Sequence, residues 1–267
     1  MPANLEGCWA KLDRARQHFD DFNARVSGIF SANEDSEAGT HQYDRQTQQL
    51  IISMPNSPPI DPSLPLIFGD CIHNVRTSLD HLVFQLALMN NMPASSANKT
   101  SFPVSLSRTD FKELTRKKVA PFIKSQALAE IEKLQPYVTG NAGSDDLICI
   151  LSQLDIIDKH RLVLVTIAKF AASGFKLTVP SGETFDRTFP PRNWKTAEAG
   201  AEIIRFDLSN AIRKPGSMNV EVKTTSQVQI ENTGLSCDGM NASVILSDCI
   251  VYTTNVIESF GGTFFKP

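Results

Sequence analysis

The stretch 69-GDCIHNVRTSLDH-81 gathers two histidines, two aspartates, an arginine and an asparagine just ahead of the apolar run 82-LVFQLAL-88. Imidazoles and carboxylates move protons, and a guanidinium holds phosphate or carboxylate groups, so these are residue types that bind and titrate. A solvated helix face more often carries a mixture of Lys, Glu and Gln. At about 100° per residue, Asn74, His81, Thr77 and His73 fall within about 60° of Asp70, with Asp80 at roughly 280° and Arg76 at roughly 240°. The opposite side carries Cys71, Val75, Leu79, Leu82 and Leu86, an apolar stripe wide enough to anchor the helix in a core.

A second cluster, 154-LDIIDKHRL-162, lies in a segment whose apolar residues surround it on nearly every side. Asp155, Asp158 and Lys159 share one face, while His160 and Arg161 point away from it. Charges in such a helix are costly unless paired. The expectation is therefore that the two helices face each other. Asp155 or Asp158 would meet Arg76 or His81, and Asp70 or Asp80 would meet Lys159, Arg161 or His160. A network of this kind can simply fix the register of a bundle. Two of them on facing helices favour a functional site, because perturbed ionisable groups gather there.

The phrases G-D-x-x-H-N-x-R-x-x-L-D-H and L-D-x-x-D-K-H-R resemble those of a group of bacterial proteins of similar length, a resemblance that names a group and not an activity. Arg76-Thr-Ser-Leu-Asp-His81 also resembles the Arg–spacer–His signature of HEPN-type helical ribonucleases, many of them toxins or phage-defence effectors. That resemblance implies an all-α bundle, a homodimer that brings two motifs together, and RNA cleavage without metal or other cofactor. It implies that Arg76 steadies the scissile phosphate and that His81 does acid–base or phosphate-positioning work, with His73, Asp80, Asp158 and His160 in support. On a regular helix Arg76 and His81 diverge by about 140°, so they would converge only across a dimer or at a helix distortion, whereas His73 and Asp80 diverge by about 20°. Two other readings stand beside it. One is a metal-dependent bundle enzyme using His73, His81 and His160 with Asp70, Asp80, Asp155 or Asp158. The other is a binding or scaffold protein in which the network is structural.

These segments need elements to position them. Residues 4 to 32 place Leu5, Trp9, Leu12, Ala15, Phe19, Phe22 and Val26 at helical spacing. Residues 42–54 turn strand-like toward their end, and 55-PNSPPIDPSLP-65 reads as a proline-rich connector before a long helix over about 66–90. Asp110 is expected to cap a short basic helix before Pro121. Residues 125–137 form another helix, and Ser144 or the following acidic pair caps a helix that runs from 147 to 170. FKLTVP, ETFDRTF, EIIRFDL and NVEVKTTSQVQIE then read as three to five antiparallel strands between about 175 and 231. A last helix covers about 241–260 and ends at Gly261-Gly262. The fold class is α+β: one domain over 1–267, mainly a helical bundle (4–170 and 241–260) with an antiparallel β-rich segment (175–231) inserted before the last helix.

Composition bounds the function classes. The 267 residues are 41% hydrophobic and 21% charged, with a net charge of −3, so any nucleic-acid contact needs a local patch. The segment 108-RTDFKELTRKKVAPFIK-124 offers one, with Arg116, Lys117 and Lys118 as candidate RNA contacts. Five scattered cysteines suggest reduced thiols, and no apolar stretch reaches membrane-span length. The expectation is a cytoplasmic protein, so that the sequons at Asn98 and Asn241 are chance matches.

Overall fold

The two helices that carry the polar clusters, over Ser63–Met89 and Leu147–His160, pack against each other and against the helix over Ala242–Phe264. The computed structural model describes residues 3–31, 40–44, 46–53, 59–93, 96, 100–140, 145–169, 174–178, 182, 184–188, 202–209, 219–223 and 226–265. The α+β, mainly helical class expected from the sequence is the one observed. Seven helices are described: α1 Glu6–Ser31, α2 Ser63–Met89, α3 Arg108–Lys118, α4 Ser125–Lys133, α5 Pro136–Thr139, α6 Leu147–His160 and α7 Ala242–Phe264. Eight strands are described: β1 Thr40–Asp44, β2 Gln49–Ser53, β3 Leu164–Lys169, β4 Gly174–Thr178, β5 Thr184–Thr188, β6 Glu202–Asp207, β7 Asn219–Lys223 and β8 Ser226–Glu231.

The chain divides into two compact units. One comprises Met1–Ala24, Pro62–Val165 and Ile230–Pro267, and the other Arg25–Asp61 and Thr166–Gln229. The helical unit is built on α2, which packs against α6 and α7. Its stripe of Cys71, Val75, Leu79 and Leu82 is fully buried, and each such aliphatic side chain contributes about 1.5–3 kcal/mol. The first part of α1 lies antiparallel to α2 in a continuous register. The Asn4 amide donates to Gln85 Oε1, Ser78 Oγ donates to the Cys8 carbonyl, Cys71 Sγ donates to the Ala15 carbonyl, and Phe22 meets Phe68 edge-on at 6.2 Å between ring centroids. In the same register His81 lies against Gly7, where a Cβ would come within 2.9 Å of its Nδ1.

In the β-bearing unit, β1 and β2 form a hairpin with Thr40 opposite Ser53 and Asp44 opposite Gln49, and β6 extends it antiparallel. The turn uses Gln48 at φ 54° and an Asp44 side chain that accepts from the Gln46 amide. A second sheet has β4 at its centre with antiparallel β5 and β7 as edges. The long connections leave β2 and β6 far apart in sequence, which is why alternation alone could not pair them.

Several expected boundaries move. The 147–170 helix ends at His160: Arg161 is extended at φ −161°, and the run beyond it becomes β3 because Val163, Val165, Thr166 and Ile167 are β-branched. The proline-rich connector stops earlier than expected. α2 begins at Ser63 and takes Pro65 into its first turn, where a missing N–H leaves no helical bond unmade. Ser107 caps α3 by accepting from the Asp110 amide, while Asp110 Oδ2 accepts in return from Ser107 Oγ. The expected 125–137 helix divides into α4 and α5 before and after Gln135. Asp146 caps α6 through the Ile148 amide, and Ser144 lies outside the described residues. Gly261 and Gly262 sit inside α7, which runs on to Phe264. Asn241, in the second sequon, is the N-cap of α7, and Asn98 lies outside the described residues.

α6 approaches α2 closely at Gly69, where an added Cβ would run into the Asp158 carboxylate. Gly69→Ala should therefore lower the unfolding free energy by about 1–3 kcal/mol in chemical denaturation. Gly28→Ala, with nothing within 4 Å of the new methyl, should raise it by about 0.5–1 kcal/mol through helix propensity.

Candidate functional site on the α1, α2 and α6 faces

Asp155 organises the polar face. It is a buried carboxylate, 6% exposed, whose Oδ1 lies 2.8 Å from His73 Nδ1 and whose Oδ2 accepts from Lys159 Nζ. An ionised carboxylate only accepts, so Nδ1 carries the ring proton and Nε2 is left for chemistry. The His73 side chain is 47% exposed, and its Nε2 lies 3.4 Å from Thr77 Oγ1. This is the geometry of an imidazole oriented by a carboxylate behind it, with a cation beside it.

Asp158, one turn along α6, packs on Gly69. Burial raises its pKa, and repulsion from Asp70 and Asp155 raises it further, against a smaller opposing effect of His73. On α1, Lys11, Arg14 and His18 occupy one side. Lys11 Nζ donates to Asn74 Oδ1 at 3.4 Å, and Asn74 in turn donates to the Asp70 carbonyl. The His18 pKa is lowered by burial and by Arg14, while Asp70 and Asp21 pull it the other way.

Arg76 and His81 leave α2 in different directions. Arg76 is buried, pairs with Asp80 at 2.6 Å, and donates through Nη2 to the Phe102 carbonyl at 2.7 Å. Asp80 Oδ1 accepts from the Phe102 amide at 2.7 Å, so both backbone groups of Phe102 are bound by one helical turn. Gln135, fully buried, continues this clamp by donating to the Pro103 carbonyl and accepting from the Ser105 amide. An extended segment inside a fold must satisfy its backbone groups somewhere, and here side chains do it.

The expected cross-helix pairs are thus replaced by others. Asp155 meets His73 rather than Arg76 or His81, Asp80 meets Arg76 on its own helix, and Lys159 meets Asp155 one turn away rather than Asp70 or Asp80. His160 is exposed at the end of α6, and Arg161 donates to the Asn232 carbonyl. The three imidazoles of the metal reading therefore go to three places, and among the described residues no group of three or more His, Cys, Asp or Glu is placed to hold a metal ion. Arg116 and Lys118 are exposed on α3, and the side chain of Lys117 lies outside the described residues.

All five cysteines are free and buried. Burial pushes the thiols of Cys8 and Cys71 up to about 12 and that of Cys149 to about 11, which keeps them from acting as nucleophiles. No helix among the described residues is long and apolar enough to cross a membrane. Comparison with protein-family models, curated proteins and solved structures gave no match.

Sequence reasoning singled out His73 and Asp158 and overlooked Lys11 and His18. Their spacing on one side of α1 was the available signal, but it reads equally as a solvated face until the register on α2 is known.

Arg76→Ala should cost about 2–4 kcal/mol in denaturant titrations, because it strands Asp80 and the Phe102 carbonyl. Asp158→Asn should raise the melting temperature at neutral pH. The raised pKa means that the folded chain holds the Asp158 proton to higher pH than the unfolded chain does, so its ionisation weakens the fold as pH rises through that window. Melts recorded over a pH series should show the advantage of Asp158→Asn shrinking as both forms of the native chain become protonated in acid.

Proposed function

We propose that the chain is a HEPN-like, metal-independent ribonuclease in which His73, oriented by Asp155, transfers protons at the scissile phosphodiester. The observation that carries this reading is the half-exposed imidazole held at Nδ1 by a carboxylate that is itself buried. Lys159, beside Asp155, and Lys11, beside Asn74, supply ammonium groups suited to a phosphate, and the exposed basic residues of α3 suit a nucleic-acid strand. Arg76 and Asp80 are positioning residues in this version, acting through the Phe102 segment, and Asp158 is a further carboxylate within the field of His73. RNA as partner, a homodimer, a cytoplasmic location and a bacterial toxin or phage-defence setting belong to the same proposal.

A binding or scaffold protein is the second reading. It is favoured by the Arg76–Asp80–Phe102 clamp, which engages the arginine of the motif in holding the fold together.

Incubation of the purified chain with mixed RNA in excess EDTA separates the two. Cleavage should leave 2′,3′-cyclic phosphate ends, and His73→Gln should slow it by about 100-fold or more in a variant that circular dichroism shows to be folded. A chain that leaves RNA intact, with and without EDTA, is not a ribonuclease, and the structural reading then stands.

A further inference from the structure

Cleavage of RNA to a cyclic phosphate needs two proton transfers, one from the attacking 2′-hydroxyl and one to the departing 5′-oxygen. His73 is one imidazole, and the register between α1 and α2 brings a second, His18, beside Asp70. Lys11 reaches Asn74, Cys71 reaches the Ala15 carbonyl and Phe22 meets Phe68 edge-on, so His18 is bracketed beside Asp70. Asp70 precedes His73 by one turn of α2, about 4.5 Å of rise. Asp70 and His73 both act on Asp158, in opposite senses. His18, Asp70, Asp158 and His73 are thus a run of four ionisable groups contributed by three helices.

We infer that His18 is a catalytic residue of this site, the base that accepts the 2′-hydroxyl proton while His73 is the acid that protonates the 5′-oxygen. The inference rests on the ribonuclease reading above. In the step, the 2′-oxygen forms a bond to phosphorus as its proton passes to the His18 ring. The bond from phosphorus to the 5′-oxygen breaks as that oxygen takes the Nε2 proton of His73. The products are a 2′,3′-cyclic phosphate and a 5′-hydroxyl, with the charge on phosphate unchanged and no metal or oxidant needed.

The surroundings divide the roles. His18 faces Arg14 and Asp21 on its own helix and Asp70 on α2, and its burial together with Arg14 holds it in the neutral form that a base requires. His73 faces Asp155, Asp158 and Lys159 on α6. Its Nδ1 is held 2.8 Å from Asp155 Oδ1, so the nitrogen that serves the 5′-oxygen is Nε2, beside Thr77 Oγ1.

The test is the pH–rate profile of the full-length chain in EDTA over about pH 5–9, for the parent, His18→Gln and His73→Gln, on RNA and on uridine 3′-(p-nitrophenyl phosphate). The nitrophenolate leaves without an acid. His73→Gln should therefore be slow on RNA and recover to within about tenfold of the parent on the activated ester, whereas His18→Gln should lose about 100-fold or more on both. Its acid limb, set by deprotonation of the base, should flatten. His18→Asn, with circular dichroism and melting curves, separates a chemical loss from a folding defect: a folded variant that is equally slow supports the assignment. Parent-like cleavage by either folded His18 variant overturns the role of His18 and leaves the ribonuclease standing. Failure of the parent to cleave either substrate removes both.

Discussion

A carboxylate that is 6% exposed in the middle of a bundle cannot stand alone, and the satisfaction of Asp155 sets much of the helical unit. Its two oxygens are taken by His73 across the helix interface and Lys159 along its own helix. An unpaired charge there would cost several kcal/mol, so the cross-helix bond leaves one favourable register of α6 on α2. That register is the one that brings Asp158 onto Gly69, the single position on α2 where the absence of a side chain allows the approach. Packing and polar chemistry are solved by the same few residues. His73 is both the partner that makes Asp155 tolerable and the group that Asp155 orients.

The second anchor of α2 works on backbone rather than on charge. Arg76 and Asp80 bind the carbonyl and amide of Phe102, much as a neighbouring strand would, and Gln135 does the same for Pro103 and Ser105. The segment thereby lies against the bundle without joining a sheet. Its side chain at Phe102 is buried, which adds apolar area to a contact whose direction the hydrogen bonds determine.

Much of the fold was legible from periodicity. The stripe on α2, the helical character of α6 and α7, and the strands β4 to β8 follow from spacing and residue type, since the two periods are set by backbone geometry. What was not legible is partner choice. Helical angles placed Arg76 and Asp80 on neighbouring sides of one helix but could not show that they would close on each other and on Phe102 rather than reach Asp155 or Lys159. The pairing of β2 with β6 and the seating of His18 beside Asp70 are likewise matters of tertiary register. The boundary at Arg161 was missed for a local reason: the apolar run from Leu162 onward suits a buried helix and a buried strand equally, and only its β-branched content separates them.

The clamp on Phe102 recognises peptide groups, not side chains. The demand therefore falls on Arg76 and Asp80 rather than on the residue they hold. Any residue at position 102 except proline, which lacks the N–H that Asp80 accepts from, can take the same two hydrogen bonds. The side chain there is left to be chosen by the core it fills, so the clamp and the packing can change independently of each other.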